Sequence, residues 1–156
     1  MTPAISIRIG DARDREFVLD LGRRVCSTSL SVIRPAPLAL VELAFNRLIG
    51  YIFEHEFDLL IACAGARRCG FLLLLRDLPD EVTTTEQAFV AYMAVEAGDR
   101  RKGIGAALLR GAEDIARAGG LAFLSLMVTE DNVAARRLYS SMGLETERRM
   151  MTKALV

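Results

Sequence analysis

The sequence predicts an α/β (α+β) fold in one domain that spans residues 1–156. Segments with strand-like and helix-like spacing follow one another in the order β-α-α-β-β-β-α-β-α-β, which is a mixed layout. The length of 156 residues fits one ordinary domain, and 52% of the residues are hydrophobic, which is sufficient for a substantial core. The chain contains no internal repeat and no low-complexity segment.

The first half of the chain contains a predicted strand, two helices and a hairpin. Alternation of apolar and polar residues over 5–9 predicts the first strand, and Asp11 is a candidate cap for a helix over 12–25. Two apolar runs, 58–64 and 69–75, are joined by the turn sequence GARR and predict a hairpin. The remaining helix, over 38–55, is predicted from residues at helical spacing: Leu40, Leu43, Ala44, Arg47, Leu48 and Tyr51.

The second half alternates strands and helices. The apolar run 88–95 predicts a strand, and regular i, i+3, i+4 spacing from Ile104 to Ile115 predicts an amphipathic helix that ends at Gly119-Gly120. A strand over 121–128, a helix over 132–142 and a final strand within 145–155 complete the chain.

The composition excludes several classes of protein. Twenty basic and twenty acidic residues balance, so the total charge indicates no nucleic acid and no membrane surface as a partner. No apolar run reaches the roughly 18 residues that a membrane-spanning helix needs, and the N-terminal sequence does not resemble a signal peptide. Three widely spaced cysteines, Cys26, Cys63 and Cys69, favour reduced thiols in the cytoplasm and no metal site.

Three basic residues and two glycines precede the long helix of the second half. Arg100, Arg101 and Lys102 stand before Gly103 and Gly105, which lie in the first turn, although glycine is a poor helix former. Unpaired N–H groups at a helix start bind phosphate, and glycines let the anion approach closely. The alternative is a tight turn with solvated charges. The spacing fits neither the P-loop nor the dinucleotide-binding glycine pattern.

A second candidate site lies in the next predicted helix. Asn132 and Tyr139 are seven residues apart, which is within about 20° of two full helical turns, so both are expected on one side. An amide and a hydroxyl could hold an amide-bearing ligand and donate a proton. The alternative is a solvated asparagine at a helix start and a half-buried tyrosine.

Together, YMAVEAGDRRKGIGAALL and LSLMVTEDNVAARRLYSSMGL resemble the GNAT superfamily of N-acetyltransferases, over residues 88–146. Arg100, Gly103 and Gly105 meet the Q/R-x-x-G-x-G/A signature of that family. The resemblance implies a mixed, mostly antiparallel sheet that splays at the acetyl-CoA site, with helices on both faces. It assigns acetyl-CoA binding to these residues: Met93, Ala94, Val95, Arg100, Arg101, Lys102, Gly103, Ile104, Gly105, Ala106, Asn132 and Tyr139.

The resemblance also implies direct acetyl transfer from acetyl-CoA to a primary amine through a tetrahedral intermediate. The N–H of Val95 is the candidate oxyanion donor, and Tyr139 is the candidate acid for the departing thiolate. No general base is assigned, because Phe89 stands where some relatives carry a carboxylate. A helix-capping or solvated role is expected for His55, the single histidine.

The acceptor is expected to contact the segment between the first two helices, with Ser29, Ser31, Arg34 and Tyr92 as candidate ligands; an ordinary polar loop is the alternative. A small-molecule amine is the preferred acceptor. A protein N-terminus or lysine remains open, although Met127 stands where acetylators of ribosomal proteins often have Glu. A non-catalytic acyl-CoA-binding or regulatory domain also remains open, and pairing of the final strand across two chains could form a homodimer.

Overall fold

The computed structural model describes residues 3–156 and places five strands in one sheet. The strands are β1 (Ile5–Ile9), β2 (Asp58–Ala64), β3 (Arg67–Leu75), β4 (Ala88–Val95) and β5 (Leu124–Leu126). They lie side by side in sequence order; β1 to β4 pair antiparallel, and β5 pairs parallel to β4. The predicted mixed, mostly antiparallel sheet is therefore confirmed.

Three α-helices connect the strands, α1 (Arg15–Val25), α2 (Leu38–Phe53) and α3 (Ile104–Ala118), and a fourth, α4 (Val133–Ser141), follows β5. A short 3-10 turn, Ala12–Asp14, precedes α1. Asp11 caps this turn as predicted, because its carboxylate accepts the Arg13 N–H while the Asp14 carboxylate accepts the Asp11 N–H. This reciprocal capping box sets where the chain enters α1.

Helices cover both faces of the sheet, as predicted. On one face α1 and α2 contribute Val18, Leu21, Phe45 and Ile49, which pack with Phe71 of β3. On the other face Ile104, Leu108 and Ala112 of α3 pack with Leu72 and Leu74, the alternate residues of the same strand. Because β3 is buried on both faces, its sequence is a continuous apolar run rather than an alternating one.

The residues whose helical spacing predicts α2 lie mostly on its exposed face. Leu40, Leu43, Leu48 and Tyr51 are 55%, 44%, 40% and 58% exposed. The opposite side, centred on Phe45, Ile49 and Ile52, faces the core instead. Since α2 is apolar on both sides, periodicity located the helix but could not select its buried face.

The predicted bounds need three corrections. The hairpin turn is Gly65-Ala66, so β3 begins at Arg67 and not at residue 69. The strand predicted over 121–128 is confined to Leu124–Leu126. The final strand predicted within 145–155 does not form, because no described strand lies against this segment to pair with its backbone.

Candidate active site

Strand β4 diverges from β5 halfway along its length. Val90 pairs with Leu126, and beyond this point no strand within residues 3–156 pairs with β4 on that side. At the same point the register with β3 skips Ala91, because Leu74 lies opposite Val90 whereas Leu73 lies opposite Tyr92. The extra residue is a β-bulge, which bends the strand. The predicted splay of the sheet is thereby confirmed.

The bulge also changes which backbone groups face the gap between β4 and β5. Before it, the Ala88 N–H donates to the Phe123 carbonyl on the β5 side, at 2.9 Å. After it, the Glu96 N–H donates to the Cys69 carbonyl on the β3 side, at 2.9 Å. Because peptide groups alternate along a strand, the N–H groups of Val95 and Met93 point away from β3 and into the gap. An extended ligand could pair with them, whereas Ala94 is turned toward β3.

The start of α3 lies directly after this strand and offers a second set of unpaired donors. Gly103 is the N-cap residue with φ +80°, and Arg101 also has positive φ, at +63°. The first hydrogen bond of α3 runs from the Ala107 N–H to the Gly103 carbonyl, so the N–H groups of Ile104, Gly105 and Ala106 precede the helical bonding pattern. A Cβ on Gly103 would meet nothing within 4 Å. The first turn therefore fits an anion at the positive end of the helix dipole.

The three basic residues before α3 have different partners. Lys102 Nζ lies 3.1 Å from Asp99 Oδ1, and Arg67 also binds this buried carboxylate at 2.6 Å. These cations lower the pKa of Asp99 to about 2, with the Arg67 hydrogen bond as the largest cause. Arg100 and Arg101 are exposed and form no ion pair with the residues the structure describes. They are thus the cations left available to a phosphate.

Asn132 is the N-cap residue of α4. Its Oδ1 accepts the Ala135 N–H at 3.2 Å, and its ψ of 71° places it outside the regular helix. The seven-residue spacing to Tyr139 therefore does not by itself align the two side chains. The Asn132 amide N–H₂ group is left as the donor that a ligand could use.

Tyr139 is half-buried against the α3 side of the core. Its hydroxyl makes no hydrogen bond to residues 3–156. Burial raises its pKa above the ordinary value of 10, so the phenol stays protonated at neutral pH. A protonated, unpartnered hydroxyl suits a proton donor.

Two of the predicted acceptor ligands meet on the opposite face of the sheet. The Tyr92 ring packs between Phe45 and Phe71, and burial is the main reason that its pKa rises to about 12. Ser29 lies near enough to the Tyr92 hydroxyl to offset part of that rise in its pKa. The structure thus brings Ser29 and Tyr92 together.

Ser31 and Arg34 are arranged differently. Ser31 Oγ accepts the Ile33 N–H at 3.2 Å, which closes a turn of the α1–α2 loop. Arg34 is exposed and reaches Thr152 Oγ1 at 3.5 Å. The loop itself is fixed to the segment after β5, because Thr129 Oγ1 donates to the Ser29 carbonyl at 2.7 Å and the Val32 N–H donates to Asp131 at 3.0 Å.

Sequence reasoning missed a cavity beside β4 of about 200 Å³. Phe89 and Ala91 of β4 line it, together with Tyr51 and His55 at the end of α2. His55 Nδ1 lies 2.7 Å from the Tyr51 carbonyl, an acceptor, so Nδ1 carries the proton and Nε2 is free. This confirms a capping role for His55 and also places it in the cavity. Only the fold could reveal the cavity, since its walls come from separate parts of the chain.

Other candidate chemistries find no support within residues 3–156. The three cysteines are buried, and burial raises the pKa of the Cys26 and Cys69 thiols, which makes them poor nucleophiles. This part of the chain contains no group of three metal-ligating side chains. None of its helices combines the length and the hydropathy needed to cross a bilayer.

Comparison with known structures identifies the same fold in other solved proteins. A protein from Pyrococcus furiosus described as an acetyl transferase superposes with a TM-score of 0.82 at 23% identity, covering 97% of this chain and 100% of that one. A ribosomal-protein-alanine N-acetyltransferase from Brucella melitensis has a TM-score of 0.70 at 20% identity, with coverages of 97% and 99%. An aminoglycoside antibiotic 6'-N-acetyltransferase from Acinetobacter haemolyticus has a TM-score of 0.69 at 18% identity, also with coverages of 97% and 99%.

Sequence comparison agrees with the fold. Comparison with curated protein sequences gives no match. The model of the acetyltransferase (GNAT) family matches residues 27–144, which include the splayed strands, the start of α3 and all of α4. The chain therefore belongs to the acetyltransferase (GNAT) family and is an N-acetyltransferase that uses acetyl-CoA.

Proposed function

We propose that this enzyme acetylates a primary amine of a small molecule by direct transfer from acetyl-CoA. The observation that carries the proposal is the adjacency of two sets of free donors. The N–H groups of Met93 and Val95 face the gap beside β4, and the strand leads through a short loop into the unpaired first turn of α3. A ligand with an extended, amide-bearing arm and a diphosphate matches both sets.

The residues present fit acetyl-CoA, which supplies an acyl group activated as a thioester. The backbone of Met93 and Val95 would pair with the pantetheine amides as an added strand would. The N–H groups of residues 101–106 would bind the pyrophosphate, with Arg100 and Arg101 adding positive charge. The Asn132 amide would contact the pantetheine arm. Lys102 would act indirectly, since its ion pair with Asp99 holds the loop.

The same residues account for direct transfer. The Val95 N–H would donate to the oxyanion that develops when the amine attacks, which is where a fixed dipole accelerates acyl transfer most. Tyr139 would protonate the departing thiolate, and its raised pKa keeps that proton in place until it is needed. No acyl-enzyme is required. The amine would lose its proton through water, since no carboxylate replaces Phe89.

Two features favour a small acceptor. The cavity of about 200 Å³ lies on the α2 side of β4 and is lined by both aromatic and polar side chains. The α1–α2 loop is fixed to the segment after β5 by two hydrogen bonds, which restricts the approach that a protein chain would need. Ser29 and Tyr92 would contribute polar contacts to the acceptor, and Ser31 and Arg34 would contact it from the α1–α2 loop.

A panel of amines incubated with acetyl-CoA, with released thiol as the readout, tests this proposal. The panel should contain aminoglycosides, polyamines, free amino acids and short peptides with free N-termini. We expect thiol release with one class of small amine and none with the peptides. Release with peptides alone would reassign the acceptor to a protein. Binding of acetyl-CoA without release in any arm would favour a non-catalytic acyl-CoA-binding domain.

A further inference from the structure

A second cavity, of about 390 Å³, lies beside the turn between β2 and β3, on the face of the sheet that α1 covers. Ser6, Cys63 and Arg68 line it from β1, β2 and β3, where they lie in register with one another. The other charged residues that line it are Arg8, Asp11, Arg13 and Asp14. None of these residues lines the cavity beside β4 or belongs to the acetyl-CoA site, so the second cavity has no role in the proposed reaction.

A β-bulge near the start of β3 determines which of its side chains reach this cavity. Ala62 lies opposite Gly70 whereas Cys63 lies opposite Arg68, so the register between β2 and β3 skips Cys69. Cys69 and Gly70 consequently both face α3, although neighbouring residues of a regular strand face opposite sides. The residues before the bulge therefore lie on the faces opposite to those that strict alternation would give them.

The bulge sends the two arginines that begin β3 to different partners. Arg67 binds Asp99, in the loop before α3, at 2.6 Å. Arg68 lies on the α1 face, where its guanidinium is 5.4 Å from the centre of the Phe17 ring and 3.2 Å from Asp14 Oδ1. Bulges often direct a side chain into a functional site. Here the bulge supplies one arginine to the acetyl-CoA loop and the next arginine to the second cavity.

Asp14 is the buried carboxylate of this cavity, and donors occupy it fully. Its Oδ1 accepts from Arg8 at 2.7 Å and from Arg68 at 3.2 Å. Its Oδ2 accepts from Arg8 at 2.8 Å and from the Asp11 backbone N–H at 2.9 Å. These bonds use the whole acceptor capacity of a carboxylate, and the Arg8 hydrogen bonds are the main reason that the pKa of Asp14 is lowered. Asp14 therefore offers no free acceptor to a cationic ligand.

The arginines, in contrast, retain donors. Arg13 occupies the Asp11 carboxylate through its backbone N–H, Nε and Nη2, but its Nη1 donates to nothing within residues 3–156. Arg68 uses only Nη1, so its Nε and Nη2 are likewise left over in this part of the chain. The lining residues also carry three guanidinium groups against two carboxylates. Because donors and positive charge are both in excess, the cavity is suited to an anion.

We propose that this cavity binds a small organic anion with two or more negative charges, at a site separate from that of acetyl-CoA. The free N–H groups of Arg13 and Arg68 come from two different elements, and the planar guanidinium matches the oxygens of a carboxylate or a phosphate. A volume of about 390 Å³ exceeds that of a single inorganic ion and lies within the range of small-molecule sites. The residues that line it, all between 6 and 68, include no aromatic ring on which a nucleobase would stack.

Calorimetry at low ionic strength, where salt screens the charges least, tests the proposal on the intact protein. The probes are succinate, phosphoglycolate and acetate. We expect at least one of the first two to bind, and acetate, with a single charge, to bind at least tenfold more weakly. The stronger of the two distinguishes a dicarboxylate from a phosphorylated acid as the ligand class. Failure of both to bind, or equal affinity for acetate, would overturn the proposal.

Two variants locate the site. We expect Arg68→Gln to weaken binding of the preferred probe about tenfold or more, because charge-assisted hydrogen bonds are lost. Asp14 keeps its two bonds with Arg8, and circular dichroism should show a folded variant. The matched control is Arg76→Gln, which removes the same charge just after the other end of β3, where Arg76 pairs with Asp58 at 2.6 Å. An equal loss of affinity in both variants would contradict the site.

The second variant is Arg13→Gln, whose exposed side chain pairs only with Asp11. It should weaken binding as Arg68→Gln does, whereas Arg117→Gln, an exposed arginine on α3, should not. Saturating acetyl-CoA should leave the affinity for the probe unchanged, since Arg67 and Arg68 lie on opposite faces of the sheet. Displacement of the probe by acetyl-CoA would overturn the proposal of a separate site. None of these measurements involves turnover, so the proposed acetyl transfer is tested independently.

Discussion

Gly105 packs directly against Leu138, so that α4 can approach α3 only where residue 105 lacks a side chain. A Cβ on Gly105 would lie 2.7 Å from Leu138 Cδ2. Gly103, two residues earlier, has open space around it but a φ of +80°. The two glycines of the phosphate-loop pattern therefore have different roles: Gly103 permits a turn and an open approach, whereas Gly105 permits helix packing.

We expect Gly105→Ala to lower the free energy of unfolding by about 1 kcal/mol, the low end for overpacking, because the Leu138 methyl group can rotate away. In a domain of this size this corresponds to about 2–4 °C in Tm. Thermal unfolding of both single variants and the double variant with Leu138→Ala measures the coupling. The cost of Gly105→Ala should shrink in the Leu138→Ala background; an equal cost in both backgrounds would show that the contact is not responsible.

We expect Gly103→Glu to abolish binding of acetyl-CoA, because a carboxylate would occupy the space and oppose the charge of the phosphates. The matched control is Gly120→Glu at the other end of α3, where φ is +73° and a Cβ also meets nothing within 4 Å. Both variants carry the same backbone strain and the same charge. Calorimetry should show that Gly120→Glu binds acetyl-CoA with wild-type affinity and that Gly103→Glu does not. Wild-type affinity of Gly103→Glu for acetyl-CoA would refute the phosphate site.

We expect Tyr139→Phe to lower kcat by about tenfold or more, as loss of a positioned proton donor does, with little change in the affinity for acetyl-CoA. Because burial raises the Tyr139 pKa, any fall in wild-type kcat through ionisation of this donor should begin at a higher pH than an ordinary tyrosine would give. Steady-state kinetics over a pH series checks both statements. An unchanged kcat in the variant would remove Tyr139 as the acid.

We expect Asp99→Asn to destabilise the protein at neutral pH and to have little effect in strong acid. Arg67 and Lys102 lower the Asp99 pKa from 3.8 to about 2, so the carboxylate is ionised in the folded state at a pH where it is protonated in the unfolded chain. Its contribution is therefore complete above pH 3.8 and is lost as pH falls toward 2. Thermal unfolding at several pH values measures this difference.

The control for that series is Asp114→Asn, because Asp114 is 80% exposed and lies 3.5 Å from Arg117. It should change Tm little at any pH. If the Tm difference between wild type and Asp99→Asn stayed constant down to pH 2, the ion pairs with Arg67 and Lys102 would not be its origin.

The local features of the site could be predicted from the sequence because they depend on neighbours along the chain. The start of α3 at Ile104 follows from the spacing of nearby apolar residues, and its end after Ala118 follows from the two glycines that come next. The capping roles of Asp11 and His55 are local in the same way. The final strand failed as a prediction because a strand requires a partner, and its spacing says nothing about where the partner lies.

What the sequence determined by itself was the order strand, basic glycine loop, helix and, through it, the family. What only the tertiary structure decided was how those parts are used. The bulge at Ala91 turns the Val95 N–H into the gap, Asp99 engages Lys102 and leaves Arg100 and Arg101 free, and Leu138 accounts for Gly105. The bulge and the packing of Leu138 depend on contacts between residues distant in the chain, and Asp99 is also bound by Arg67, 32 residues earlier. Hydrophobic periodicity and motif spacing do not record such contacts.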